Sequence, residues 1–151
     1  MSTTTVENPV TTVQVYQVFI KATPEQIWEA IIDPTFTTRY FHGSRVTITP
    51  ERRTSTSPDG SESWGDGPVF EWDPPRRLSH QWQSLYDPRF AAEPPSRVTW
   101  EIEAQDGGVS KLTLVHDQLD DSPQTAASVS GSGWMFVLSG LKTLLETGDS
   151  L

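Results

Sequence analysis

The chain has 151 residues, enough for one hydrophobic core, and no cysteine, which excludes disulfides, a thiol nucleophile and thiolate metal sites. Eleven Lys and Arg against twenty Asp and Glu leave a net charge of −9, which disfavours nucleic acid and anionic membrane surfaces as partners. No apolar run approaches the roughly 18 residues of a membrane span, and the first residues carry neither the basic nor the apolar region of a signal peptide, so a cytoplasmic protein is expected.

Residues 1–10 read as a disordered tail and 11–151 as a single domain. Residues 13–20, VQVYQVFI, are β-branched and aromatic, and predict a strand that is apolar on both faces and so covered on both sides. Thr23-Pro24-Glu25-Gln26 forms a capping box with Pro at the first helical position, and the helix it starts ends at Asp33-Pro34. Residues 36–41 predict a second short helix or turn carrying Phe36, Tyr40 and Phe41.

Residues 45–50 alternate as a strand. Residues 51–68 are polar and turn-rich; Pro58-Asp59-Gly60 marks a turn around which a hairpin returns through residues 61–64. Residues 69–72 form a strand that stops at Asp73-Pro74-Pro75, and Arg76 and Arg77 restart the chain at a wet edge. Residues 78–85 place Leu78, His80 and Trp82 on one face, and the proline-rich stretch 86–96 is a loop. Residues 97–104 give the cleanest alternation, with Val98, Trp100, Ile102 and Ala104 inward and Arg97, Thr99, Glu101 and Glu103 on a wet face. Asp106-Gly107-Gly108 turns into residues 111–115, where Leu112, Leu114 and His116 share a face.

Asp121 or Ser122 caps a further helix at Pro123, and Gly131 and Gly133 interrupt it. From Trp134 an apolar stripe runs through Val137, Leu138, Leu141, Leu144 and Leu145 to a stop at Gly148. A strand run followed by one long helix predicts an α+β fold: a curved antiparallel sheet of about six or seven strands wrapped around the C-terminal helix, with two short helices after the first strand.

These residues carry a family resemblance over roughly residues 13–148. Ile20-Lys21-Ala22-Thr23-Pro24-Glu25-Gln26-Ile27-Trp28-Glu29-Ala30, the stretch from Val69 through Asp73-Pro74-Pro75-Arg76-Arg77-Leu78, Val98-Thr99-Trp100-Glu101-Ile102, and Gly133-Trp134 with Leu138, Leu141-Lys142 and Leu145-Glu146 bear it. The chain resembles the helix-grip superfamily of START domains, birch-pollen-allergen-like proteins and polyketide cyclases (SRPBCC). Within it, the chain is most similar to bacterial relatives of the C-terminal domain of Aha-type activators of the heat-shock ATPase chaperone. The resemblance implies the helix-grip fold, and a role among binding, transport, cyclisation and chaperone activation.

Standard catalytic signatures are missing. There is no phosphate-cradling Gly-rich loop, and Gly131-Ser132-Gly133 lacks the spacing of a nucleophile elbow. The pairs Glu101/Glu103 and Asp120/Asp121 read as solvated carboxylates. His42, His80 and His116 have no metal-ligand spacing, so no metal, cofactor or catalytic residue is expected. His80 and His116 fall on inward faces, either as satisfied core histidines or as polar handles of an apolar cavity.

Six tryptophans on separate elements point either to an aromatic core or to an aromatic-lined cavity between the sheet and the last helix. In the cavity reading Phe36, Tyr40 and Phe41 form the mouth, Trp64, Phe70 or Trp72, Trp82 and Trp100 line the sheet side, Trp134 and Leu138 line the helix, and His80 or His116 supplies the polar group. The expected function is binding of a small hydrophobic molecule, aromatic or lipid-like, by a monomer or homodimer. The alternatives are a co-chaperone-like activator contacting a chaperone, and a cyclase or hydrolase using His80 or His116 as acid or base.

Overall fold

The computed structural model describes residues 13–151; the expected tail at 1–10 lies outside the described residues. Twelve regular elements follow in the order β1 (Gln14–Ile20), α1 (Pro24–Ile32), α2 (Pro34–Tyr40), β2 (Arg45–Ile48), β3 (Arg52–Thr56), β4 (Ser63–Asp73), β5 (Arg77–Trp82), α3 (Pro88–Ala91), β6 (Ser96–Ala104), β7 (Ser110–Asp117), α4 (Pro123–Ser128) and α5 (Trp134–Thr147). The strands form one antiparallel sheet in the order β1-β7-β6-β5-β4-β3-β2. The fold is α+β, with the long C-terminal helix and the two short helices where the sequence places them.

Local chemistry explains the boundaries. Thr23 Oγ1 accepts from the Gln26 amide (3.1 Å) and Gln26 Oε1 accepts from the Thr23 amide (2.8 Å), which closes the capping box at α1. Asp33 ends α1 and caps α2 by accepting from the Thr35 amide (2.8 Å). Gly148, at φ 82°, ends α5 in the left-handed conformation that glycine adopts at little cost. Between α4 and α5, residues Val129–Gly133 make a π-helical stretch broken at Gly131, whose ψ is −115°.

The core lies between the concave sheet face and the helices. Leu78, Val98, Trp100, Leu112 and Leu114 from the sheet meet Ile27 and Ile31 of α1 and Val137, Leu138 and Leu141 of α5. The far end of α5 is tied to β1: Lys142 Nζ donates to the Phe19 carbonyl (2.7 Å) and Glu146 accepts from the Lys21 amide (2.8 Å).

Four sequence expectations are corrected. β1 is not covered on both sides: it is an edge strand, with Val15 (57% exposed) and Phe19 (55%) on an open face. Residues 65–68 are not a turn but part of the long strand β4, which pairs with β3 from Gly65 to Pro68 and carries an extra residue on either side, at Trp64 and at Phe70. The loop at 86–96 contains the short helix α3, capped by Asp87. Thr99, on the expected wet face of β6, is buried and hydrogen-bonded to Ser79 (3.1 Å).

The bulge in β4 has a further effect. Gly65, Gly67 and Val69 face inward before it, and Trp72 faces inward after it, against Trp28 (ring centroids 5.1 Å apart). Phe70 is the extra residue of the bulge, turned outward and 54% exposed, so it does not join the cavity-lining set. At the turn beyond, Arg76 pairs with Asp73 (3.0 Å), and Arg77 pairs with Glu71 and Glu101.

Leu141 is fully buried at the contact of α5 with the sheet. Leu141→Ala removes that packing and is expected to destabilise the protein by about 2–5 kcal/mol. Urea unfolding checks this; an unchanged midpoint contradicts the packing described.

Candidate functional site

The sheet's aromatic residues converge on the first turn of α5. Trp134 contacts Trp82 (centroids 5.0 Å), Trp100 (5.7 Å, interplanar angle 89°), Phe41 (5.8 Å) and His116 (5.9 Å). These are the offset and edge-on distances at which aromatic pairs attract. Trp134 thus packs directly on Trp82 and Trp100, and the cleft described below lies beside Trp82 and Trp134 without reaching Trp100.

Both inward histidines are held by indoles. Trp100 Nε1–H donates to His80 Nε2 (3.0 Å), and Trp134 Nε1–H donates to His116 Nδ1 (3.0 Å). An accepting nitrogen carries no proton, so the tautomers are set. His80 Nδ1–H donates to the Gln81 carbonyl (2.9 Å), and His116 Nε2–H donates to Ser96 Oγ (2.8 Å). Each ring has both nitrogens engaged, which leaves none for a ligand, a metal or a substrate proton. Burial and the neighbouring Arg53 cation push the His80 imidazole well below its ordinary value of 6.5, and burial pushes His116 down to about 4.

A cleft of about 410 Å³ opens beside this cluster, beyond Trp82 and Trp134. Phe41, Trp82 and Trp134 form its aromatic wall, with Trp64 and Tyr86 edge-on to each other at 5.9 Å on one flank. The segment leading into α5 supplies the other side through Val129, Ser132 and Gly133, followed by Val137. Strand β3 and the residue before β2 add Ser44, Arg53 and Ser55. Of the expected lining residues, Phe41, Trp64, Trp82 and Trp134 border this space. Tyr40 is buried with its hydroxyl on the Ala30 carbonyl (2.7 Å) and faces a smaller cleft of about 170 Å³. Phe36, His80, Trp100, His116 and Leu138 do not line the main cleft.

Sequence reasoning missed the polar side of the cleft. Arg52 and Arg53 read as one basic pair on a polar hairpin, yet the strand period separates them. Arg52 points out and pairs with Asp66 (2.7 Å), whereas Arg53 points in and is 5% exposed. The available signal was the alternation of Arg53 and Ser55 opposite Gly67 and Gly65, two residues with no side chain to block an inward arginine. The Arg53 guanidinium carbon sits 4.8 Å from the Trp82 ring centroid and 5.8 Å from that of Phe41. Burial lowers its pKa to about 10, which leaves it cationic at neutral pH.

The model for the family described as activator of Hsp90 ATPase homolog 1-like protein matches residues 21–146. The chain belongs to this AHSA1 family. Solved structures agree in fold. A protein of Mesorhizobium loti superposes with a TM-score of 0.69 at 21% identity, covering 91% of this chain and 98% of its own. The Aha1 dimer from Colwellia psychrerythraea gives 0.68 at 16% identity, covering 90% and 97%. An Hsp90 activator from Plasmodium falciparum gives 0.68 at 18%, covering 89% and 96%. The sequence matches no curated protein. Among the described residues of this AHSA1 chain no helix is long and apolar enough to cross a membrane.

The buried histidines carry a pH signature. Both pKa values lie below 6.5 in the fold, so the folded chain stays neutral at these sites where the unfolded chain takes up protons. Their contribution to stability is complete above pH 6.5 and declines as pH falls towards about 4. His116→Asn keeps an acceptor for the Trp134 indole but does not titrate. Urea unfolding between pH 7.5 and 4.5 is expected to show a shallower loss of stability in this variant, by about one proton per molecule. Equal slopes in the two proteins contradict the assignment.

Proposed function

We propose that this AHSA1-family chain binds a small, largely apolar molecule in the cleft between Trp82, Trp134 and the segment leading into α5. The observation that carries the reading is the cleft itself: about 410 Å³, walled by Phe41, Trp82 and Trp134 and edged by a few polar groups. That combination of size, aromatic walls and sparse polar atoms is typical of small-molecule sites. Catalysis draws no support from the site. The two imidazoles nearest the rings are spent on indoles, backbone and Ser96, and among the described residues no nucleophile hydrogen-bonded to an oriented base faces the cleft.

Membership of the AHSA1 family and the fold shared with the Plasmodium activator favour a second reading, an activator-like contact with an Hsp90-type ATPase. The two readings separate experimentally. In the first, the neutral dye N-phenyl-1-naphthylamine binds at micromolar concentration and quenches tryptophan emission. Ser132→Trp, an exposed residue on the edge of the cleft, is expected to reduce that binding at least tenfold while leaving the circular dichroism unchanged. No dye binding by the wild-type protein contradicts the ligand reading. A rise in chaperone ATPase rate on addition of the protein, unaffected by Ser132→Trp, supports the second reading instead.

A further inference from the structure

A cation stands inside the cleft with no counter-charge among the described residues. Among the described residues Arg53 has no carboxylate partner and its side chain makes no hydrogen bond, although its guanidinium offers five donors. Exposed arginines of the same chain are better served: Arg76, Arg77, Arg89 and Arg97 all pair with carboxylates. Trp82 Nε1 is the sole fully enclosed side-chain nitrogen or oxygen among the described residues that lacks a partner. The unpartnered Arg53 nitrogens are therefore not enclosed and look into the space they line. Stacking on Trp82 and Phe41 offsets part of the desolvation cost but supplies no acceptor.

The surroundings are built for this cation. Among the described residues no Asp or Glu lines the cleft, in a chain with twenty of them. Gly65 leaves room for the guanidinium, since a Cβ there would lie 3.3 Å from Nη1. The neighbouring hydroxyls are occupied: Ser44 Oγ–H donates to the Thr56 carbonyl (3.0 Å), which makes Ser55 the donor in the 2.6 Å Ser55–Ser44 contact. Among the described residues Arg53 is the one Lys or Arg that lines the cleft, so it matches one negative charge and leaves a second one unbalanced. A planar fork of N–H donors fits a carboxylate bidentately.

We propose that the ligand is an aromatic monocarboxylate, with its head on the Arg53 guanidinium and its ring among Phe41, Trp82 and Trp134. This rests on the reading of the cleft as a small-molecule site. The test is calorimetric titration of the wild-type protein at pH 7.5 with naphthalene-2-carboxylate, its neutral isostere naphthalene-2-carboxamide, and 2-naphthyl phosphate. The carboxylate is expected to bind about tenfold or more tighter than the carboxamide, because one hydrogen-bonded charge is gained. It is also expected to bind tighter than the phosphate, whose second charge finds no cation. Arg53→Gln is expected to abolish the carboxylate preference, so that carboxylate and carboxamide bind this variant with equal affinity. Arg53→Lys, with a charge but no fork, is expected to retain part of the preference.

Equal affinities for carboxylate and carboxamide in the wild-type protein overturn the proposal and leave the cleft reading standing, as does a preference that survives in Arg53→Gln. A phosphate that binds tighter than the carboxylate overturns the choice of a single charge. Failure of every naphthalene probe to bind overturns the cleft reading and this proposal together. If Arg53→Gln does not fold, the comparison of the three probes on the wild-type protein decides.

Discussion

Two indole-to-imidazole hydrogen bonds hold this molecule's architecture in register. Trp100 to His80 joins β6 to β5, and Trp134 to His116 joins the first turn of α5 to β7. All four side chains are almost completely buried. Each polar atom would be costly alone, and each is satisfied only if its partner arrives at one distance and one orientation. Hydrophobic burial pulls α5 onto the sheet without fixing where along the sheet it stops. The indole of Trp134 fixes it, and the position of the cleft follows.

The consequence for the site is a division of labour between rings and strands. Trp82 and Trp134 serve twice, as the outer layer of the packed cluster and as the wall of the cleft. The opposite side is built from β3, whose inward face is polar rather than apolar. Ser44 and Ser55 satisfy one another and the Thr56 carbonyl, whereas among the described residues the Arg53 side chain makes no hydrogen bond.

The fold was legible because its signals are local. The capping box at Thr23, the strict alternation of residues 97–104 and the stripe from Trp134 to Leu145 each specify an element without reference to the rest of the chain. The resemblance joined those elements into one architecture. The site was less legible because inward and outward depend on register. Phe70 reads as inward until the bulge at Val69 shifts the alternation, and Arg53 reads as half of a surface pair until β3 is laid against β4. That Val15 and Phe19 lie on the sheet face away from the helices depends on how the layers stack and is likewise invisible in the local pattern. His80 and His116 were placed inward correctly, but only the positions of two distant indoles decide that they are structural.

The π-helical stretch Val129–Gly133 gives the cleft an independence from the core that bears on how such a site diversifies. Both of its flanks are fastened. Glu93 holds the start of α4 by accepting from the Gln124 and Thr125 amides, and Trp134 is pinned to His116. The stretch between them buries Val129 but leaves Ser130, Gly131 and Ser132 exposed. Substitutions at those positions can reshape the mouth while the anchors on either side keep their partners. On the proposed reading of the cleft as a small-molecule site, selectivity can drift through these few exposed residues, under selection separate from that which maintains the fold.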